Sequence, residues 1–503
     1  MKAPKPASWK RALVKTMGIF GRAAATWTAS TVGAGSGYVV TDPARKVMSK
    51  YRRPMNSTAN ELLTGSLSQL RAYSRNSTRN NPTARAAVDG LRALIVGSGI
   101  ALEIDTGDAK LDKILRKEWQ EWVASCGTDG RDLYQLQNNG AGEVIEAGEL
   151  VWRLVIMPER AAQGLVPLAI LPLESEWLDE TMAAYLGTNP DGTAQVGPVR
   201  LDKLGNPISY VLRNPEMSFS FPPETVQAKD VLHVFEKRRS MQARGEPWMA
   251  PIIEVMQQER DLVDAELAAA VTCSSLGIAI TSQVQGSLDT TEEGSDTDPA
   301  ESLRLGGVAR LYPGESITAF SHNRPGQQIA PFRQMLRGDI AGAMRLPQRF
   351  LDRDVSRANY SSMRADMIDT ERMLAPVREW FGQATAGRLL KEVMPFLCAK
   401  AGVAMPKKWT YRLLPDGQPY VDPSKDIAAA KDAIAGGLST HEAEIAKRGG
   451  DRATVWAQLA KEKEEAKALG LDFSDEAPGQ PLKTGDPLPE LKDNPKPIEA
   501  DDE

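Results

Sequence analysis

An α+β chain is predicted from three features of the 503-residue sequence. Short apolar runs separated by turn signals fill Asn81 to about Lys237, the pattern of a domain that mixes helices and strands. Two long amphipathic helical stretches follow, one from Pro251 and one from near Gln327, with a strand-like insertion between them. A group of short helices with distinct start and stop residues closes the folded part.

Taken in order, LRALIVGSGIALEID reads as a helix running into a strand, and LVWRLVIMPE with LVPLAILPLE as two strands bracketing a loop. Pro251 suits the first turn of a helix that runs without Gly or Pro to Leu276 and stops at Gly277 or the apolar turn after it. Ile252, Met256, Val263, Leu267 and Ala270 fall on one face of it, and Glu254, Asp261 and Asp264 gather opposite. At about 1.5 Å per residue, Pro251 to Ile280 would span roughly 45 Å.

The insertion, 281–325, opens with linker-like QVQGSLDTTEEGSDTDPAES and ends in a β signal, GGVARLYPGESITAF. The next helix carries Ile329, Phe332, Leu336, Ile340 and Ala343 as a narrow seam, with Arg333, Arg337 and Arg345 on its polar flank. Leu346-Pro347 ends it, and QRFLDRDVSRANYSS packs alternating charges into a loop. From Ser362 a very long helix runs toward Cys398, with Pro376 a candidate kink. Asp422-Pro423-Ser424, Ser439-Thr440 and Asp451 then mark three helix starts, Gly436-Gly437 a stop, and the last helix frays near Gly470.

Composition narrows the function classes. With 42% hydrophobic and 25% charged residues, wholesale disorder and collagen-like structure are excluded. The net charge of −5 averages two polarised ends. Met1 to Asn80 holds fourteen Lys or Arg against two acids, and its interior lacks helical periodicity, so it reads as a mostly irregular basic arm. Two readings of the arm stand: a nucleic-acid or scaffold-binding segment, and a solvated terminus. Leu471 to Glu503 holds ten acids, three lysines and six prolines and cannot bury enough surface to fold alone. Cys126, Cys273 and Cys398 lie more than a hundred residues apart without metal-ligand spacing, which fits a reducing compartment. No run of eighteen apolar residues exists and Lys15 and Arg22 interrupt any apolar leader, so neither a membrane span nor a signal peptide is expected.

Enzyme signatures fail one by one. There is no Gly-Lys pair and hence no phosphate-binding P-loop; GAGSGY places Tyr38 where the dinucleotide fingerprint needs Gly; Ser36 and Ser98 both miss GxSxG. His441-Glu442 lacks a second His, and His233, His322 and His441 each read as surface or capping residues. Glu103, Glu143, Glu146 and Glu149 read as acids on solvated faces. No catalytic residue, cofactor or metal site is expected. The competing classes are a metal-dependent DNA-processing enzyme built on Asp352, Asp354 and Asp366, and a non-viral helical scaffold.

Several segments in one order carry a resemblance. RNNPTARAAVDGLRALIVGSGIALE, VLHVFEKRRSMQARGEPW, DVSRANYSSMRADM with Asn359-Tyr360-Ser361-Ser362, and YVDPSKDIAAAKDAIAGGLST followed by GGD resemble portal proteins of tailed bacteriophages of the lambda type. The resemblance covers roughly Thr58 to Leu471. It implies a ring, usually a dodecamer, at one capsid vertex of the virion, assembled in the host cytoplasm. Double-stranded DNA would pass through it without sequence specificity. The implied partners are the terminase large subunit, a head-tail connector or adaptor, and the major capsid and scaffold proteins.

The implied anatomy is a portal-type ring subunit with an α+β wing, two-helix stem, β-containing clip, long channel helix and helical crown. On this chain it gives a basic arm at 1–57, the wing at 58–248, stem helices at 249–280 and 326–345, and the clip at 281–325. A tunnel loop at 346–358 follows, then the long channel helix with the rest of the wing at 359–421, the crown at 422–470 and the acidic tail at 471–503. Arg349, Arg353 and Arg357, offset by Asp352 and Asp354, are then the DNA-channel candidates. Arg353 is expected to sample phosphates while the others pair with these acids or with adjacent subunits; all three in inter-subunit ion pairs is the alternative. Glu254, Asp261 and Asp264 either line the channel or pair with Arg333 and Arg337 of a neighbouring stem helix, the pairing being preferred, and Arg345 belongs to the same stem set.

Overall fold

Thr58 starts the first helix, α1 (Ala59–Leu63), through a capping box: its hydroxyl accepts from the Glu61 N–H while Glu61 accepts from the Thr58 N–H. In the computed structural model, residues 56–182, 185–214, 222–275, 279–282, 315–318, 328–354, 359–417 and 422–469 are described. They divide into two units, one ending at Asp416 and one beginning at Gly417. Most of the basic arm, the linker-like half of the insertion, His322, Arg357 and the acidic tail lie outside the described residues.

In the larger unit, α2 (Leu67–Asn80), α3 (Pro82–Ile95) and α5 (Leu133–Ala147) pack against one another in the core, and α4 (Ala109–Val123) packs against the strand at 101–105 and the helix at 388–401. Asn81 caps α3 by accepting from the Thr83 and Ala84 N–H groups, with Pro82 in the first turn where its missing N–H costs nothing. Asp108 caps α4, and an Asp132–Gln135 capping box starts α5. The expected helix-to-strand passage is present as α3 followed by β1 (Ala101–Asp105).

The expected strand pair is also present. β2 (Leu150–Ile156) and β3 (Leu168–Leu173) are antiparallel in the register Val151 to Leu173, and the connection carries a one-turn helix, α6 (Pro158–Ala162). Next comes a five-stranded antiparallel meander, β4 (Leu186–Thr188), β5 (Ala194–Val196), β6 (Val199–Leu201), β7 (Pro207–Leu212) and β8 (Glu224–Gln227), with its own small core. β9 (Val231–Val234) returns to the free side of β2, giving the order β3-β2-β9.

The first long helix is α7 (Ile253–Ser275). It begins two residues after Pro251 and does not reach Ile280, which instead lies in β10 (Ala279–Ser282), paired with β11 (Glu315–Thr318) from the predicted β signal. At 23 residues α7 is about 35 Å long, shorter than the span expected. α8 (Ile329–Ala343) follows, but only Leu336 and Ile340 of the expected seam are buried; Phe332 and Ala343 are exposed. The segment after Leu346-Pro347 is only partly a loop, since Gln348–Asp352 forms a short helix, α9.

Asn359-Tyr360-Ser361-Ser362 is a helix start. The Asn359 side chain accepts from the Ser362 N–H at 2.8 Å, and the Ser362 hydroxyl accepts from the Asn359 N–H at 3.0 Å. That box opens α10 (Tyr360–Gly382), which continues through a π-type turn at Gln383–Gly387 into α11 (Arg388–Ala401). The turn lies several residues beyond Pro376, which sits inside α10. There Gly382 and Gly387 leave room for Leu413 and Tyr411 of β12 (Thr410–Leu414), the strand that pairs with β1 and closes the unit.

The smaller unit contains α12 (Pro423–Ala435), α13 (His441–Ala446) and α14 (Arg452–Ala468). Their caps are Asp422, Thr440 and Asp451, as the sequence indicates. Cys126 and Cys398 are buried and free, and burial pushes the Cys126 thiol up to about 12, far from thiolate reactivity. Among the described residues no helix is long and apolar enough to cross a membrane.

One expectation about the acids is overturned. Glu149 is fully buried, because it lies between the end of α5 and the central strand β2 and carries a charge that must be matched inside the core. Arg71 from α2 pairs with it; Arg244 donates to it at 2.6 Å, the Gly245 N–H at 2.8 Å and the His233 Nε2–H at 2.9 Å. His233 is therefore a core residue rather than a surface one, set between Tyr210 and Phe235. Gly148, at φ 88, makes this turn possible: a Cβ there would strike the Glu246–Pro247 backbone.

Candidate DNA-channel interface

Packing between α7 and α8 rests on one acid that the sequence reading passed over. Glu259 lies on α7, three residues after Met256 and four before Val263, and so on the apolar stripe. It is 3% exposed. A carboxylate there needs donors, and it has three: Thr83 Oγ1 at 2.9 Å, Arg333 Nε at 2.8 Å and Arg337 Nε at 2.7 Å. Burial alone would push this carboxyl up, but the hydrogen bonds from Arg333, Arg337 and Thr83 hold it below the ordinary value. An acid at apolar spacing was the signal available for it.

Inside one chain, Arg333 and Arg337 both meet Glu259 and none of Glu254, Asp261 or Asp264. Those three lie on the outer side of α7. Glu254 accepts from Gln258 at 3.2 Å, Asp261 from Gln257 at 2.8 Å, and Asp264 sits 3.8 Å from Arg260. Arg345 is not on the flank of α8. It lies beyond the end of α8 with φ 58, donates to Glu236 at 2.8 Å and stacks over Trp248 at 4.8 Å.

Arg337 also reaches forward to pair with Asp352 at the end of α9, while Gln348 donates to the Gln334 carbonyl at 2.9 Å. Leu351 anchors the same short helix in the core. Arg349 is drawn to Asp366 of α10 at 3.2 Å, so its partner is neither of the loop acids expected. Arg353 is different. It caps α9 with φ 54, is exposed, and meets no carboxylate among the described residues. A left-handed conformation in a non-glycine residue costs roughly 1–2 kcal/mol. Asp354 beside it is exposed and lines the groove between α7 and α8, while Arg357 lies outside the described residues.

This geometry does not support the metal-site alternative. Asp352 is bound by Arg337 and Asp366 by Arg349, and no group of three or more His, Cys, Asp or Glu among the described residues is placed to hold a metal. The α7–α8 groove, about 680 Å³, is lined by Val263, Leu267, Ala270 and Ile329. Near it Leu267 and Phe332 are 62% and 48% exposed.

Glu259→Gln is expected to destabilise the chain by about 1–3 kcal/mol, because Thr83 and two guanidinium groups lose a charged acceptor while Arg337 keeps Asp352. Denaturant midpoints of the two proteins check this; a shift equivalent to under about 0.5 kcal/mol, the size of an ordinary surface change, contradicts the hub. Since the folded-state carboxyl is depressed, this contribution is present above the ordinary glutamate range and fades as pH falls through the folded value.

Comparison with known proteins adds the family. A profile described as phage portal protein, lambda family, matches residues 44–378. The probable portal protein of Halomonas phage phiHAP-1 is 24% identical over 435 residues, covering 80% of this chain and 81% of the relative. Portal protein B of Escherichia phage lambda is 24% identical over 272 residues, 48% of this chain and 51% of the relative, so the chain matches about half of that protein's length. Among solved structures, the neck of a native GTA particle determined with C12 symmetry aligns with a TM-score of 0.46 at 14% identity, covering 76% of this chain and 92% of that one.

Proposed function

Since the chain belongs to the lambda family of phage portal proteins and has a portal's role in the phage capsid, we propose that about twelve copies close into a ring through which double-stranded DNA slides without sequence-specific contact. In this reading α7 and α8 are the stem, β10 and β11 the clip, 346–358 the tunnel loop, α10 the channel helix and α12 to α14 the crown. The terminase large subunit and the head-tail connector dock at the clip, and the major capsid and scaffold proteins meet the outer parts. Assembly takes place in the host cytoplasm. The pore does no bond chemistry. Exposed Leu267 and Phe332 on the stem helices support packing against a neighbouring copy.

Arg353 carries the channel reading. Of the candidate cations described, Arg333, Arg337, Arg345 and Arg349 are each held by a carboxylate, whereas Arg353 is exposed at a strained helix end. One such cation per subunit gives a ring of about twelve, a modest field. Each phosphate neutralised adds about −0.9 to the salt slope of binding, so a channel with every arginine free would grip the duplex too firmly to let it move.

The expected result for Arg353→Ala is rings of normal mass and axial hole by native mass measurement and imaging, combined with altered DNA translocation or retention in a packaging assay. Failed assembly would make Arg353 a structural residue, and unchanged packaging would remove it from the channel. A wild-type chain that stays monomeric at high concentration defeats the ring.

A further inference from the structure

A half-buried ionic pocket farther along α2 has no part in the portal reading. Arg75 of α2 meets Glu143 of α5 at 2.8 Å, Glu176 at 3.0 Å and Glu174 at 3.7 Å, the last two on the 3₁₀ turn after β3. The cavity beside them has a volume of about 330 Å³; Gly140 and Gly142 form part of its floor, and Glu146 joins its rim. Charged groups from several elements surround Glu143. α2 supplies Arg75; α5 supplies Glu143 and Glu146; the turn supplies Glu174 and Glu176. α3 supplies Arg92, engaged by the Asn138 side chain at 2.5 Å and lying 3.7 Å from Asp89, with Arg85 held by Asp89. The segment before α5 supplies Arg131, held by Asp129 at 2.5 Å. One guanidinium therefore answers for three carboxylates with a fourth nearby, an arrangement that like-charge repulsion disfavours when all are ionised.

We propose that this pocket is a proton-operated clamp between the α2–α5 layer and the 174–177 turn. The α5 carboxyl is fixed by its helix, whereas the Glu174 side chain is 64% exposed and free to leave. With Glu143 protonated, Arg75 is shared with Glu174 and Glu176 and holds the turn against the helices. With Glu143 ionised, Arg75 is drawn to it, the added negative charge repels the two turn acids, and the turn loosens. Burial raises the Glu143 carboxyl to about 7, with Arg75 opposing and Glu176, Glu174 and Glu146 reinforcing, so the change falls near neutrality. Because the folded-state value is raised, the clamp is full in mild acid and is lost as pH rises through about 7.

Hydrogen exchange of the full chain at about pH 6 and about pH 8, corrected for intrinsic rates, tests it on peptides spanning 174–182. In the wild type, protection there should fall about tenfold at the higher pH. In Glu143→Gln, which keeps the neutral shape, protection should stay at its high-proton level throughout. Glu176→Gln removes one repelling charge and should move the transition to lower pH. A wild type with no pH response, a Glu143→Gln protein that responds equally, or a Glu176→Gln protein with an unmoved midpoint overturns the clamp.

Discussion

Replacing Glu149 by Gln should cost about 3–5 kcal/mol of stability, a large share of the roughly 5–15 kcal/mol that holds an ordinary domain together. The substitution keeps the volume and removes only the charge. Arg71 and Arg244, 1% and 5% exposed, would then face a neutral amide, and the His233 N–H and the Gly245 N–H would share a weaker acceptor. The cost comes from leaving two guanidinium groups buried without their shared carboxylate; Arg71 keeps Glu180 at 2.6 Å and the Ala147 carbonyl at 3.1 Å, and Arg244 lies 4.0 Å from Glu180. An Arg244→Met, Glu149→Leu double variant, which removes charge from both sides, should lose less than Glu149→Gln alone. Equal losses would mean that packing, not charge matching, dominates the site.

The same cluster sets an acid limit. Burial alone would push the Glu149 carboxyl up, yet Arg244, Arg71 and His233 hold it well below the usual carboxylate range. Its contribution is therefore present above the ordinary glutamate value and lost only as pH falls through the depressed folded one. His233 acts in the same direction. Burial lowers its value against the pull of Glu149, so the unfolded chain takes up the proton first and stability declines below the ordinary histidine range.

Local rules carried most of the secondary structure. Pro82, Asn359, Asp422, Thr440 and Asp451 each start a helix for a reason contained within four residues of sequence, and the β2–β3 pair follows from two apolar runs and a loop. What failed was long-range. Nothing near Glu149 in sequence announces Arg71, 78 residues before it, or Arg244, 95 residues after it. Glu259 is 74 residues from Arg333, and only its position on an apolar stripe marks it as buried. Arg345 was misplaced because helix spacing continues past Ala343 on paper, whereas the chain turns left-handed at that arginine. The loop arginines were legible as a group, but which one is left without a carboxylate depends on Asp366 and Arg337, and both act across helix boundaries.

The N-terminal boundary gives the largest expected effect. The charge count and the missing helical periodicity extend the basic arm to Asn80, but the structure places part of that stretch in helices that enter the core. Leu63, Leu67 and Leu70 are 4%, 5% and 0% exposed, and Arg71 pairs with Glu149. Asn60 also grips the segment leading to Arg244, donating to the Met241 carbonyl at 3.0 Å and accepting from the Ala243 N–H at 2.9 Å. At roughly 1.5–3 kcal/mol per buried leucine, losing three of them removes on the order of 5–9 kcal/mol before the Arg71 charge is considered. Deletion of residues 1–55 should therefore leave a soluble chain whose thermal midpoint lies within a few degrees of the full protein. Deletion of residues 1–71 should leave no cooperative unfolding transition at all. Aggregation of the shorter deletion would assign the arm a folding role, and a cooperative transition in the longer one would show that α1 and the start of α2 are not part of the folding unit.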